Sequence, residues 1–106
     1  MADTLITEAE QIRATNKAAE VDITDLAKKH IPVNASKKDV EIYLRAQDFT
    51  LHDQPKAPDN TQTLVAVRKE KGLIARVGFH DEIRVIVTFD NEKVKQASAK
   101  IIYRSL

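Results

Sequence analysis

The chain has 106 residues, 42% of them hydrophobic and 31% charged, with 17 basic against 16 acidic side chains and no cysteine. Such a composition belongs to one folded domain with a modest core, far from the highly charged compositions of disordered chains, and it excludes disulfides, zinc–thiolate sites and thiol nucleophiles. A formal charge of +1 with the signs interspersed offers no basic stripe to neutralise phosphates, so nucleic acid is not an expected partner.

Residues 3 to 20 carry Leu5, Ile6, Ala9 and Ile12 at helical spacing. The stripe fades after Ile12 into small alanines. This first helix is therefore expected to dock loosely, or to pack on something the chain lacks. A second short helix is expected from Asp22 or Thr24 to His30, with Ile23, Leu26 and Ala27 on its face and Pro32 ending it. The stretch IPVNASKKDVEIYLRAQDF, residues 31 to 49, reads as a turn that hands the chain to a helix leading into a strand. Ser36 is its natural N-cap and Asp39 favours the positive helix end. Val40, Tyr43 and Leu44 give residues 37 to 47 one buried face.

Asp53 to Asn60, polar and interrupted by prolines, is expected to be a mobile loop. Gln62 to Arg68 alternates, with Thr63, Val65 and Val67 on one face and Leu64 and Ala66 on the other. Ile83 to Asp90 alternates more clearly, through Ile83, Val85, Val87 and Phe89. Asp90-Asn91-Glu92-Lys93 is a turn of hairpin length, followed by a last strand from Val94 to Arg104 with Ala97, Ala99, Ile101 and Tyr103 on one side. The economical arrangement is α+β: two to three N-terminal helices packed on one face of a three-stranded antiparallel sheet.

These residues resemble a known family. DITDLAKKHIPVNASKKDVEIYL, then TLVAVRK and EIRVIVTFDNEKVKQASAKI, are similar to the SmpA/OmlA (BamE-like) domain, a small bacterial envelope lipoprotein fold. The family's helix-opening turn, G-[small or M]-[ST]-x-x-x-V, falls on Asn34-Ala35-Ser36-Lys37-Lys38-Asp39-Val40. Asn in place of Gly keeps the turn feasible, because Asn tolerates positive φ. The resemblance spans residues 22 to 102 and implies a division into an N-terminal helical extension, 1–21, and a helix-helix-three-strand domain, 22–106. Two departures stand against it: the lipidated cysteine is absent, and the long excursion EKGLIARVGFHDE separates the two better strands.

The resemblance implies a non-enzymatic protein-binding or assembly module of the bacterial cell envelope. The alternative is a protein inhibitor presenting the 53–60 loop and the 69–81 excursion to an enzyme cleft, since one such layout serves both roles. The expected partner is a protein, with no cofactor and no metal. The expected location is the periplasm or the outer membrane if an N-terminal signal was removed, with a possible membrane tether absent from this chain, and the cytoplasm otherwise. Met1-Ala2-Asp3 is compatible with either start, and no apolar run approaches the roughly 18 residues of a membrane span.

The candidate protein-binding residues are Leu73, Ile74, Val77 and Phe79, which are core if the excursion folds over the sheet and a partner patch if it projects. Tyr43 and Tyr103 carry the same ambiguity. Arg68-Lys69-Glu70-Lys71, beside Gly72, reads as a solvated turn. His80-Asp81-Glu82 is the most enzyme-like cluster, but neighbours on a strand point to opposite faces, so a polar loop-to-strand junction is the expectation. His30 and His52 are scattered, Ser36, Ser98 and Ser105 lack a nucleophile-elbow setting, and Gly72 and Gly78 form no phosphate loop.

Overall fold

The structure, a computed structural model, describes the backbone of residues 4–16, 18–70 and 79–105 and the side chains of 4–16, 18–69 and 81–103. In chain order it runs α1 (Leu5–Thr15), β1 (Glu20–Asp22), α2 (Thr24–His30), α3 (Lys37–Ala46), β2 (Thr50–Asp53), β3 (Thr61–Glu70), β4 (Phe79–Asp90) and β5 (Lys93–Ser105). Among the described residues there are three helices, within the two to three expected, but the antiparallel sheet has five strands in the order β1-β5-β4-β3-β2, not three. The three expected strands form its centre. The additional β1 and β2 are edge strands of three and four residues, too short to show a period, and they exist through their pairing with β5 and β3. Both long central edges are thereby partly covered, which is how antiparallel sheets limit strand addition from outside.

One face of the sheet carries the core. Leu64 and Ala66 of β3, Ile83, Val85, Val87 and Phe89 of β4, and Val94, Ala97, Ala99 and Ile101 of β5 are buried in one cluster with Leu5, Ile6 and Ala9 of α1, Ala27 of α2, and Val40 and Leu44 of α3. The alternation from Val94 to Ala97 breaks period two, because a bulge opposite Thr88 and Phe89 inserts one extra residue and returns Val94 to the core side. Contrary to the loose docking expected of α1, Leu5 and Ala9 are fully buried.

Local chemistry fixes the helix ends. Ser36 Oγ accepts the Asp39 N–H at 3.1 Å, the N-cap expected of it. At the other end Asp48 adopts φ 66° while the Phe49 N–H reaches the Leu44 carbonyl and the Asp48 N–H that of Arg45, a Schellman closure that delivers buried Phe49 to the sheet. Asn34 stands at φ 76°, the left-handed geometry that Asn tolerates better than most non-glycine residues. The β4–β5 turn has positive φ at both Asn91 and Glu92, the type I′ geometry that matches strand twist. That turn and the α2–α3 turn are sewn together, since Asn34 N–H donates to the Val94 carbonyl, Val94 N–H to Ala35, and Lys37 N–H to Glu92. The 54–60 loop, expected to be mobile, is tied at several points: Gln54 N–H donates to Thr63, Ala57 N–H to Thr61, and Asn60 N–H to Ala57.

Candidate functional site

The second face of the sheet has no helix packed on it among the described residues. Strand registry places its side chains on a grid. One row runs Glu20, Ile102, Glu82, Lys69; the next Asp22, Lys100, Arg84, Val67, Thr50; the third Ser98, Ile86, Val65, His52. Val65, Val67 and Ile86 are half-buried aliphatic neighbours with charges above them and toward β1, whereas half-buried Ile102 stands apart, between Glu20 and Glu82.

Over β1, β5 and β4 this face is hollowed into an open groove of about 460 Å³. Glu20, Asp22 and Thr24 form one rim, and Arg84, Ile86, Ser98 and Lys100 the floor. Lys100 Nζ meets Glu20 Oε1 at 2.8 Å, and Arg84 Nη2 donates to Glu82 Oε2 at 2.7 Å. Glu82 is the buried charged residue of the described chain, and this pairing offsets part of the cost of taking its carboxylate out of water. Asp22 accepts the Thr24 N–H at 2.8 Å, and hydrogen bonds from the Thr24 side chain and backbone hold its carboxyl below the usual aspartate range. Arg84 and Lys100 lie directly opposite across the β4–β5 pair, a like-charge arrangement offset by their pairing with Glu82 and Glu20. The Arg84 Nε–H is buried and has no hydrogen-bond partner among the described residues.

The residues singled out from sequence fall in different places. Leu73, Ile74 and Val77 lie outside the described residues; Phe79 opens β4 opposite Ser105, and its side chain lies outside them too. His80, Asp81 and Glu82 are successive β4 residues; the His80 side chain lies outside the described residues, and Asp81 and Glu82 point to opposite faces. Asp81 faces the helices, where Arg13 of α1 grips it through Nη2 at 2.8 Å and Nε at 3.2 Å. Glu82 faces the groove. His30 contacts Glu8 Oε1 at 2.7 Å and stacks on Tyr43, whose hydroxyl accepts the Leu5 N–H at 3.1 Å, so Tyr43 is a tie between helices. Tyr103, 39% exposed, lies beneath the Arg13 guanidinium at 5.9 Å. His52 is on the edge strand, Ser36 is the cap, and Ser98 lines the groove.

Arg84 and Lys100 were not legible as a pair. In EIRVIVTF the polar alternates read as a solvated face, and only the β4–β5 register brings Arg84 opposite Lys100. Among the described residues no group of three or more His, Cys, Asp or Glu is placed to hold a metal ion, and no helix is long and apolar enough to cross a membrane. No protein-family model, no curated protein and no solved structure matches the chain.

Proposed function

We propose that the chain is a non-enzymatic protein-binding or assembly module that uses the helix-free face of its sheet. The observation that carries this reading is the half-buried aliphatic patch of Val65, Val67 and Ile86, neighbours on β3 and β4, bordered on one side by the charges of the groove. An apolar centre within a charged border is the usual make-up of a partner surface. The bacterial envelope setting belongs to the same proposal and is supported by the SmpA/OmlA resemblance of residues 22 to 102. Against an acid–base role for the His80-Asp81 pair stands the bidentate engagement of Asp81 by Arg13.

A photo-crosslinking residue at Ile86, compared with one at Ile42 on the outer side of α3 (56% exposed), tests the reading in fractionated host cells. A discrete adduct from Ile86 in the envelope fraction, missing from Ile42, is the expected result. Equal labelling from both positions overturns the surface, and an adduct confined to the cytoplasm overturns the setting. The inhibitor alternative is favoured by one observation, the hydrogen-bonded 54–60 loop, since a loop ordered before contact loses less entropy on entering a cleft.

A further inference from the structure

We infer that Glu8 and His30 form a pH-sensitive latch that holds α1 against α2 and loosens as the imidazole loses its proton. The inference lies on the covered face and is independent of which surface the chain presents to a partner.

The latch is an array of four groups from three helices. His30 Nε2 lies 2.7 Å from Glu8 Oε1, within the short range of charge-assisted hydrogen bonds. Behind the imidazole the Tyr43 ring lies within 9° of parallel, with centroids 6.3 Å apart. The Tyr43 hydroxyl in turn accepts the Leu5 N–H at 3.1 Å, one of the amides that the first turn of a helix leaves without an internal partner. The array therefore ties the start of α1 to both α2 and α3.

Lys29 also reaches Glu8, at 2.9 and 3.0 Å. Its side chain is 60% exposed against 12% for His30, so solvent screens its ion pair more strongly and the imidazole decides more of the interaction. Histidine is the side chain that ordinarily changes charge between pH 5 and 8. Hydrogen bonds from Lys29 and His30 hold the Glu8 carboxyl below the ordinary 4.5, so Glu8 stays anionic across that range. The contact passes from a charge-assisted to a neutral hydrogen bond as pH rises. Of the other elements packed here, α3 brings Tyr43, and β5, which lies against α2, contributes the uncharged Ala97, Ala99 and Ile101 to the core. Asp81 of β4 holds α1 through Arg13, so loosening in acid is shared between two carboxylates. The loosening toward higher pH belongs to His30.

Released, α1 is an 11-residue helix, too short to persist alone. Its opening therefore reads out as hydrogen exchange in α1 ahead of the sheet. Release would uncover the places of Leu5, Ile6 and Ala9, which share one buried cluster with Ala27, Val40 and Leu44.

Amide exchange of the full chain between about pH 5.5 and 7.5 tests the latch, with α1 protection factors taken relative to those of β4. In the parent chain this ratio is expected to fall about fivefold as pH rises, the gap between a charge-assisted and a neutral hydrogen bond. His30→Gln, which keeps a neutral donor, and Glu8→Gln should both flatten the profile, while Lys29→Gln retains the fall. The Glu8 and Lys29 variants decide the matter should His30→Gln not fold. A constant ratio in the parent chain, or a fall that survives in Glu8→Gln or His30→Gln, overturns the inference. A fall abolished by Lys29→Gln overturns it as well, by placing the latch on the lysine.

Discussion

The two faces of the sheet use charge in opposite ways. On the covered face, ion pairs join elements distant in sequence: Arg13 of α1 to Asp81 of β4, and Glu8 of α1 to Lys29 and His30 of α2. On the helix-free face they stay within the sheet, Glu82 with Arg84 along one strand and Glu20 with Lys100 across one pair. Charge on the first face positions helices, whereas charge on the second is balanced within the sheet and leaves the surface open. The sharpest way to break this contrast is to cut apolar and polar neighbours on one strand. Phe89→Ala, at a core position 1% exposed, should cost about 3–5 kcal/mol. Thr88→Ala, the preceding residue on the helix-free face, should cost at most about 1 kcal/mol. Denaturant unfolding of both variants checks the pair, and similar losses would mean that the second face is also core.

The next effect concerns how α1 is held. Beyond Ile12 the helix buries little apolar surface, and Arg13 closes the gap by gripping Asp81 while Nη1 donates to the Asn16 and Ala18 carbonyls. Arg13→Leu keeps much of the stem and leaves Asp81 uncompensated. The side chains of the pair are 13% and 25% exposed, so solvent screens part of the interaction and the expected loss is about 1–2 kcal/mol. Hydrogen exchange should show α1 amides losing more protection than those of β4. Uniform loss across both would make α1 an inseparable part of the core.

These two cases show which parts of the fold the sequence exposes. Periodicity marked α2, α3 and the three long strands because each has several turns or alternations to display. It missed β1 and β2 because a strand of three or four residues is defined by its partner's free hydrogen-bonding groups, which β5 and β3 supply only once the sheet exists. The docking of α1 was misread for a similar reason, since its ties are long-range: Leu5 to Tyr43, Glu8 to Lys29 and His30, and Arg13 to a carboxylate 68 residues away. The candidate site was less legible still: Arg84 and Lys100 look solvated until register places them opposite each other. Turn chemistry was the exception, being local. Asn34 at φ 76° should therefore answer to local rules, with Asn34→Ala costing about 1–2 kcal/mol and Asn34→Gly nearly neutral. Thermal unfolding separates the two, and an equal loss from both would place the role of Asn34 in its side chain.

The smallest effect, and the most specific to the covered face, follows from Glu8. Its carboxyl is held below the ordinary glutamate value of 4.5 by hydrogen bonds from Lys29 first and His30 second. A carboxyl whose folded-state pKa is depressed stabilises the fold at pH above its unfolded value, and that contribution disappears as pH falls through the folded value. Glu8→Gln should therefore be less stable than the parent chain at neutral pH, with the gap closing below the ordinary glutamate range. The groups facing Glu8 are Lys29, His30 and, stacked behind the imidazole, Tyr43. Asp22 and Asp59, whose carboxyls are also held low, titrate in both chains and cancel in the difference. Urea unfolding from pH 3 to 7 supplies the measurement; a gap that stays constant across that range would show that Glu8 holds α1 by packing and not by charge.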